Sequence, residues 1–204
     1  MAVGTYALTS LANLKSYLNL SITTHDTMLE DLVDRATELA ENITNRKLKA
    51  RDYHYDSDES AYDADNAALD GNDRDRIILP QYPINSVTTL RINTMAIDAR
   101  GTVFDSGYVI DKKNGIIILA GYIFTGGIKN IELAYNAGYS TVPEDLAQAC
   151  IEQAAWMFKQ SSAGSSLLGV NNKNLPDGSV SYTADDLLPQ VRMVLERYKR
   201  RIAI

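Results

Sequence analysis

The 204-residue chain has little of the chemistry that most catalytic sites require. It contains one cysteine, Cys150, and two histidines, His25 and His54. A single cysteine excludes an internal disulfide and fits a reducing compartment. The sequence also lacks GxxxxGK[ST], GxGxxG, HExxH, GxSxG and CxxC, the patterns of common nucleotide, metal, hydrolase and redox sites. These absences favour a protein with no catalytic residue, no cofactor and no metal.

Long apolar runs are missing as well. No run approaches the roughly 20 residues that a membrane-spanning helix needs. The first residues, "MAVGTYALTS", lack the basic start and the apolar stretch of a signal peptide. We therefore expect a protein that is made in the cytoplasm and has no membrane partner. The composition, 45% apolar and 23% charged, is typical of a globular chain, and we interpret residues 1–204 as a single domain.

Charge is distributed unevenly along the chain, whose formal net charge is −6. Nine acidic residues and one basic residue, Arg74, lie between Asp52 and Asp75, so this stretch carries a charge of −8. Five basic residues and one acidic residue, Glu196, lie between Pro189 and Ile204. Proteins that bind the nucleic-acid backbone usually present a basic face, so the overall charge argues against general DNA binding.

The acidic segment, residues 52–75, is a candidate metal site. An EF-hand loop needs glycine at its sixth position and glutamate at its twelfth. Registers that start at Asp56 and at Asp63 place alanine at the sixth position, and Ala67 or Arg74 at the twelfth. Because both registers fail, we favour a solvated acidic loop. A calcium-dependent binding module with a looser site is the alternative from another class of function.

Apolar spacing of three and four residues predicts about four helices. A short first helix follows Thr9 or Ser10, either of which can cap it. The second has the clearest apolar face; Asp26 or Thr27 can cap its start, and it is expected to end near Leu48. A third helix starts around residue 143. The last helix has Asp185 or Asp186 near its start, and residues 187–204 are predicted to form this C-terminal helix and a docking tail.

Between the second and third helices the pattern changes to short runs that are typical of strands. Asn114 and Gly115 form a hairpin signal, and Pro80 and Pro83 mark a strand end because proline donates no ladder hydrogen bond. We predict a small antiparallel sheet over residues 76–136. The fold class is therefore α+β, a mainly helical core with a β insertion between the second and third main helices. The strand-like runs are "RIILP", "SVTTLRIN", "YVID", "GIIIL" and "NIELAY".

The stretch "YNAGYSTVPEDLAQAC" joins this sheet to the third helix. Gly138 allows a sharp turn after the strand, and Pro143 in the first helical turn loses no hydrogen bond there. Acidic residues at a helix start interact favourably with the helix dipole. Cys150 lies on the predicted buried stripe, so we expect it to pack as a small apolar group, and we expect structural or surface roles for both histidines. The predicted structural motif is Tyr135, Gly138, Tyr139, Pro143, Asp145 and Leu146.

Two further segments carry functional expectations. Residues 161–186 are rich in glycine, serine and asparagine and are too long for an ordinary connector, so we predict a long flexible loop. The C-terminal "ERYKRRIAI" has four basic residues within five positions, more than a helix dipole requires. We interpret this end as a docking tail for an acidic partner surface. The predicted interface residues are Arg197, Tyr198, Lys199, Arg200, Arg201, Ile202 and Ile204.

Three stretches, taken in order, resemble the head-to-tail connector proteins of tailed bacteriophages, the adaptor or head-completion family. "TSLANLKSYLNL" with "HDTMLEDLVDRATELAENITNRKL" is similar to the paired N-terminal helices of that family. "LPQYPINSVTTLRIN" resembles its Leu-Pro-x-x-Pro-Ile-x-x-Val strand start. "YNAGYSTVPEDLAQAC" resembles its Tyr-x-Ala-Gly-Tyr signature, which leads into a helix. The resemblance covers nearly the whole chain.

The resemblance implies a non-enzymatic structural protein at the head-to-tail interface of the virion. Copies of such a protein form a ring, expected to be twelve-fold, beneath the portal protein. The ring extends the DNA channel, lets packaged DNA pass without specific binding, and joins the capsid to a downstream connector or tail protein. The alternative within virion proteins is a stopper or tail-completion ring protein.

Overall fold

The computed structural model describes residues 3–55, 68–161, 172–175, 178–181 and 187–200. The chain divides into two compact units. Unit 1 comprises Met1–Arg46 and Val142–Ile204, and unit 2 comprises Lys47–Thr141. The helices belong to unit 1, and the larger sheets belong to unit 2. The predicted α+β class, with a β insertion between the second and third helices, is therefore confirmed.

The four helices of unit 1 pack together, and the first three share an apolar core. They are α1 (Leu11–Leu18), α2 (Asp26–Thr44), α3 (Glu144–Gln160) and α4 (Pro189–Tyr198). Helix α3 contacts each of the other three. The three-and-four spacing in the sequence brings the apolar residues of each helix onto one face, so they are removed from water together. Buried members of this core include Leu14, Leu29, Val33, Ala36, Ile151, Ala154 and Phe158.

Helix starts follow the predictions in part. The Ser10 hydroxyl accepts a hydrogen bond from the Asn13 backbone N–H at 3.2 Å, which confirms one of the two predicted caps of α1. In α2 neither predicted residue caps the helix, because its N-cap is His25. The Asp26 carboxylate instead accepts a hydrogen bond from Lys15 Nζ at 2.6 Å. The carboxylate thus links α2 to α1.

Two helix ends differ from the sequence predictions by a few residues. Helix α2 ends at Thr44, before Leu48, because Asn45 adopts a left-handed conformation with φ 52°. Pro143 is the N-cap of α3 and lies one residue before the predicted first turn. Its ψ of 140° is extended, so the backbone becomes helical only at Glu144. Its carbonyl accepts the N–H of Ala147 at 2.9 Å, the first intrahelical bond.

Unit 2 contains two antiparallel sheets. In the first, the strand order is β1-β8-β4-β5, with β2 also paired to β8; in the second, the order is β3-β7-β6. A separate strand pair, β9 with β10, belongs to unit 1. The strands are β1 (Arg51–Tyr55), β2 (Leu69–Gly71), β3 (Arg76–Ile78), β4 (Ile84–Ile92), β5 (Met95–Ala96), β6 (Gly107–Asp111), β7 (Ile116–Ala120), β8 (Gly127–Ala137), β9 (Asn172–Leu175) and β10 (Gly178–Ser181).

Strand β8 organises the core of unit 2. Alternate residues of its second half are buried, namely Ile131, Leu133, Tyr135 and Ala137. This period of two is the pattern expected for a strand with one face on the core. All five strand-like runs predicted from the sequence form strands. The Asn114–Gly115 signal is also confirmed, because this dipeptide connects the paired strands β6 and β7.

The sheet begins earlier than predicted, at Arg51 and not at residue 76. The ends of the predicted acidic loop, residues 52–75, therefore form strands β1 and β2. Charge obscured β1, because its acidic and polar residues are exposed while Tyr53 and Tyr55 alternate toward the core. Asp52 also has a structural partner, the Asn136 side-chain amide at 2.8 Å. Residues 56–67 lie outside the described part of the chain.

Two more acidic residues of that segment hold the sheet together. The Asp70 carboxylate accepts the backbone N–H of Lys129 at 2.7 Å. The Asp73 carboxylate accepts the backbone N–H of Gly126 at 2.6 Å. Hydrogen bonds from a backbone N–H to an ionised carboxylate are stronger than bonds between neutral groups. These acids therefore fix the turn before β8. The sequence analysis had expected them to lie in a solvated loop.

The predicted loop at residues 161–186 contains a strand pair. Residues of β9 pair antiparallel with β10, from Asn172 opposite Ser181 to Leu175 opposite Gly178. Backbone hydrogen bonds hold these two strands together. The segment is polar, so its sequence shows no apolar alternation from which the strands could have been predicted. The remainder of the predicted loop after Ser161 lies outside the described residues. Its flexibility stays a prediction.

We predict that Gly138→Ala destabilises unit 2. Gly138 has φ +110°, and a Cβ there would lie 2.7 Å from the backbone carbonyl carbon of Lys49. Backbone atoms cannot move aside as a flexible side chain can, so we expect a loss of about 2 kcal/mol in the free energy of unfolding. Urea denaturation measures it. The control is Gly101→Ala, where the new Cβ would meet only an Asp105 carboxylate oxygen at 3.2 Å. Equal stability of the two variants would contradict the prediction.

Candidate functional site

Helix α4 positions the start of the predicted interface. Val191 and Leu195 are buried, and Pro189 occupies the first turn, where its missing N–H costs nothing. The opposite side of the helix is exposed and carries Arg192 and Arg197. Helix α4 therefore buries an apolar stripe in unit 1 and presents a cationic face to solvent.

Tyr198, at the end of α4, is already bound within the subunit. Its hydroxyl donates a hydrogen bond to Asp145 Oδ1 at 2.6 Å. Asp145 lies in the first turn of α3, and the same oxygen accepts the backbone N–H of Leu146 at 3.0 Å. Arg46 Nη1 donates to the Tyr198 carbonyl at 3.5 Å. The sequence analysis offered Tyr198 as an interface anchor; the structure gives it a role in joining α4 to α3.

The backbone of Arg200 closes a second contact. Its N–H donates to the carbonyl of Thr44 at 2.9 Å. Thr44 is the fully buried last residue of α2, and the last carbonyls of a helix have no partner inside the helix. The side-chain hydroxyl of Thr44 donates to the carbonyl of Ala40 at 2.8 Å. Arg200 therefore satisfies the end of α2, and the remaining predicted interface residues Arg201, Ile202 and Ile204 lie outside the described residues.

Charge at this end remains accessible to solvent. Lys199 forms an ion pair with Glu196 at 3.4 Å, and both side chains are about half exposed. Exposed pairs of this kind contribute little to stability, because water and salt screen them. Arg197, the residue after Glu196, is also exposed. The described part of the predicted interface thus offers cationic groups, and its aromatic member is engaged internally.

The predicted structural motif is divided between the two units. In unit 2, Tyr135 is buried and stacks on Tyr53 and Tyr55, with ring centroids 5.3 and 6.0 Å apart. Burial raises the pKa of the Tyr135 hydroxyl, and the neighbouring Tyr55 raises it further. The backbone of Tyr139 donates to Leu48 O at 2.8 Å and accepts from Ala50 N at 3.1 Å.

The other members of the motif, Pro143, Asp145 and Leu146, lie in unit 1 at the start of α3. Leu146 is fully buried. Sequence reasoning missed the contact between Asp145 and Tyr198, which are 53 positions apart. Neither spacing nor composition indicates a pairing at that separation. The pairing exists because α3 and α4 pack together and bring the start of one helix to the end of the other.

Two further candidate residues, Cys150 and His25, contact other residues of unit 1. Burial, and secondarily the nearby Glu41, raise the pKa of the Cys150 thiol to about 12. The His25 ring lies 5.8 Å from the ring of Phe158.

Among the described residues, no group of three or more His, Cys, Asp or Glu side chains could hold a metal ion. The EF-hand registers considered above run through residues 56–67, outside that part. No described helix is long and apolar enough to cross a membrane.

The sequence analysis did not identify an apolar surface on unit 2. Large apolar side chains are exposed on its loops and strand ends, including Met95, Phe104, Ile123 and Ile128. Phe104 is 98% exposed. Each of these residues occurs in an ordinary β-rich sequence, so no single position signals exposure. Whether such a residue is exposed or buried depends on how the two sheets pack, which the sequence alone does not show.

We predict that Tyr198→Phe weakens unit 1. The substitution removes only the hydroxyl that donates to Asp145, so the expected loss is about 1 kcal/mol in the free energy of unfolding. Thermal or urea denaturation measures it, with Tyr17→Phe at an exposed position of α1 as the matched control. In an Asp145→Ala background the bond is already lost, so adding Tyr198→Phe should cost nearly nothing. An equal loss in both backgrounds would rule out the bond as the cause.

We also predict that Cys150 reacts slowly with thiol reagents while the protein is folded. A pKa of about 12 leaves very little thiolate at neutral pH, and the side chain is buried. Labelling by a disulfide reagent at pH 8 should be much faster in urea than in buffer. Rapid labelling of the native protein would show that the thiol is accessible and ionised.

The head completion protein family matches residues 7–201 of the chain. No curated relative matches the sequence. Three solved structures have a similar fold and 100% coverage of this chain. The neck of a native gene transfer agent particle computed with C12 symmetry is 20% identical over 94% of its chain, with a TM-score of 0.59. The neck of an empty particle computed with C6 symmetry is 20% identical over 96%, with a TM-score of 0.57. A virion of the native particle is 21% identical over 95%, with a TM-score of 0.59.

The similarity to these structures establishes the shared fold, and the family match covers nearly the whole sequence. Both agree with the resemblance carried by the helix pair, the strand start and the strand-to-helix join. The chain belongs to the head completion protein family.

Proposed function

We propose that the protein forms a ring in the virion neck beneath the portal, extends the DNA channel, and joins the capsid to the tail or to the next connector. The observation that carries this proposal is the family match over residues 7–201. It is supported by the similarity in fold, over the full length of the chain, to a chain of a neck computed with C12 symmetry. A ring of twelve copies would match a twelve-fold portal.

Ring formation requires two different complementary surfaces on each subunit, because a head-to-tail interface is heterologous. In unit 1 the exposed side of α4 carries Arg192 and Arg197. In unit 2, strand β1 carries the exposed acid Asp52, and the turn before β3 carries Asp75, which is paired with Arg76 at 3.0 Å. Complementary charge steers association and fixes which surfaces meet.

The proposed role of the C-terminal end, residues 197–204, is docking on the portal or on a neighbouring copy. Arg197 and Lys199 would supply exposed charge, and the residues beyond Arg200 would supply apolar contacts. The acidic chain, of net charge −6, would not hold DNA by its phosphates. Packaged DNA would therefore pass through the ring without specific binding, and the function needs no catalytic residue.

The test is to mix purified protein with portal-bearing, DNA-filled heads that lack tails. We expect binding at the portal vertex only, at one copy per portal subunit, followed by attachment of tails. Cosedimentation gives the stoichiometry, and electron microscopy gives the location. Binding over the whole capsid surface, or no binding, would refute the proposal. A stopper would behave differently, because it would bind heads only after another connector had been added.

Charge variants sharpen this experiment. Arg192→Glu combined with Arg197→Glu reverses the exposed face of α4 and should weaken binding to heads by on the order of tenfold. Lys112→Glu combined with Lys113→Glu changes the net charge equally, at exposed positions of a unit 2 turn, and is the matched control. Added salt should weaken binding of the unaltered protein, because exposed charges are screened over roughly 8 Å at physiological ionic strength.

A further inference from the structure

The end of α4 meets the ends of two other helices of unit 1. The Tyr198 hydroxyl donates to Asp145 Oδ1 at 2.6 Å, at the start of α3. Arg46, which follows α2 and is buried, donates from Nη1 to the Tyr198 carbonyl at 3.5 Å. The Arg200 backbone N–H donates to the Thr44 carbonyl at 2.9 Å, at the end of α2. These three contacts are called the terminal clamp below.

The terminal clamp acts where helical hydrogen bonding has stopped. Helix α4 ends at Tyr198, and Lys199 has φ −59° and ψ 138°, which is an extended conformation. The last residues of a folded chain are usually poorly ordered unless other contacts tie them down. Because Tyr198 and Arg200 are bound on either side of Lys199, the clamp fixes a piece of backbone that the helix itself does not fix.

The contact between Tyr198 and Asp145 is the strongest part of the clamp. Asp145 lies in the first turn of α3, where the helix dipole favours a negative charge. Its Oδ1 also accepts the backbone N–H of Leu146 at 3.0 Å, so the acceptor is held in place. A hydroxyl that donates to an ionised carboxylate forms a bond roughly twice as strong as one between neutral groups. Loss of this one bond should therefore loosen the end of α4.

The clamp lies beside exposed positive charges. Arg197 precedes Tyr198, and Lys199 lies between the two clamped residues. Both side chains are exposed, and the ion pair of Lys199 with Glu196 is half exposed. Such pairs are weak in water, so both cations can exchange solvent and Glu196 for the carboxylates of a partner. The chemistry of this end therefore fits an acidic protein surface.

We propose that Tyr198 and Asp145 are positioning residues for docking, because the terminal clamp holds Arg197 and Lys199 in the arrangement in which they meet an acidic surface of the portal. This inference rests on the proposed function, in which the C-terminal end docks. Binding is weakened by the conformational freedom of every segment that it must order. The clamp orders the backbone of residues 198–200 within the free subunit, so docking does not have to do so.

The clamp and the charges act on different rates. Complementary charge steers the encounter of two proteins and raises the association rate. The fit of the docked surfaces acts mainly on the dissociation rate. Loss of the clamp should therefore speed dissociation and leave association nearly unchanged, because the charges are still present. Arg192→Glu combined with Arg197→Glu should instead slow association.

Binding to immobilised portal-bearing heads tests the proposal, at a temperature where circular dichroism shows every variant to be folded. We expect Tyr198→Phe to dissociate about fivefold faster, the factor that corresponds to one hydrogen bond. The matched control is Ile151→Val, which removes one methylene group from the buried core of unit 1. It lowers stability without touching the clamp, so its dissociation rate should equal that of the unaltered protein.

A double substitution separates the bond from other effects of each change. Asp145→Ala should also speed dissociation, and adding Tyr198→Phe to it should have nearly no further effect, because the bond is already absent. Asp145→Asn keeps an oxygen that can accept the Tyr198 hydroxyl. It should therefore recover part of the slow dissociation that Asp145→Ala loses.

Three outcomes would overturn the proposal. The first is a dissociation rate that Tyr198→Phe leaves unchanged, and the second is an equal increase in Ile151→Val. The third is slower dissociation of Tyr198→Phe, which would mean that the clamp holds the C-terminal end away from its partner. The two proposals fail differently. If the unaltered protein does not bind heads, both are refuted, whereas binding that is insensitive to the clamp refutes only this inference.

Discussion

The architecture of unit 2 depends on the close approach of two backbone segments where the chain enters and leaves it. Gly138 packs against the backbone of Lys49 and Ala50, at a distance that leaves no room for a Cβ. Its N–H donates to the carbonyl of Pro83 at 2.9 Å, and the neighbouring Tyr139 exchanges backbone hydrogen bonds with Leu48 and Ala50. The 95-residue insertion Lys47–Thr141 can return to its starting point only if its ends meet in this way. Loop closure costs entropy, which these contacts offset.

Unit 1 closes in a different manner, through the ends of its helices. The end of α4 supplies partners for the start of α3 and for the end of α2, through Tyr198 and Arg200. Helix ends carry backbone groups without intrahelical partners, so each end needs a neighbour of this kind or water. The C-terminal segment is consequently part of the folded unit up to Arg200.

The two units present different kinds of surface. Helix α4 exposes arginines, and the loops and strand ends of unit 2 expose large apolar side chains. In the proposed ring, such surfaces would stay exposed on the free subunit until its partners arrive.

Much of the fold could be predicted from the sequence, and the reasons are local. Helical spacing gave α2 and α3, because the side chains that one helix face buries recur every three or four residues. Short runs of strand-forming residues between turn residues gave β4, β7 and β8. The turn residues Gly115 and Gly138 were also identified, since both have a positive φ that suits few residues other than glycine. The family resemblance also depended on these local patterns in their order.

Tertiary structure alone decided the contacts between distant residues. Strand β1 was missed because its charge suggested a loop, and its membership in the sheet depends on pairing with β8, over 80 positions away. The bond from Tyr198 to Asp145 and the exposure of Met95 and Ile123 likewise depend on how remote segments pack together. Local sequence determines which side of an element is apolar, because that follows from backbone geometry. It does not determine which apolar residues find a partner inside the subunit and which stay exposed, because that depends on how the elements close on one another.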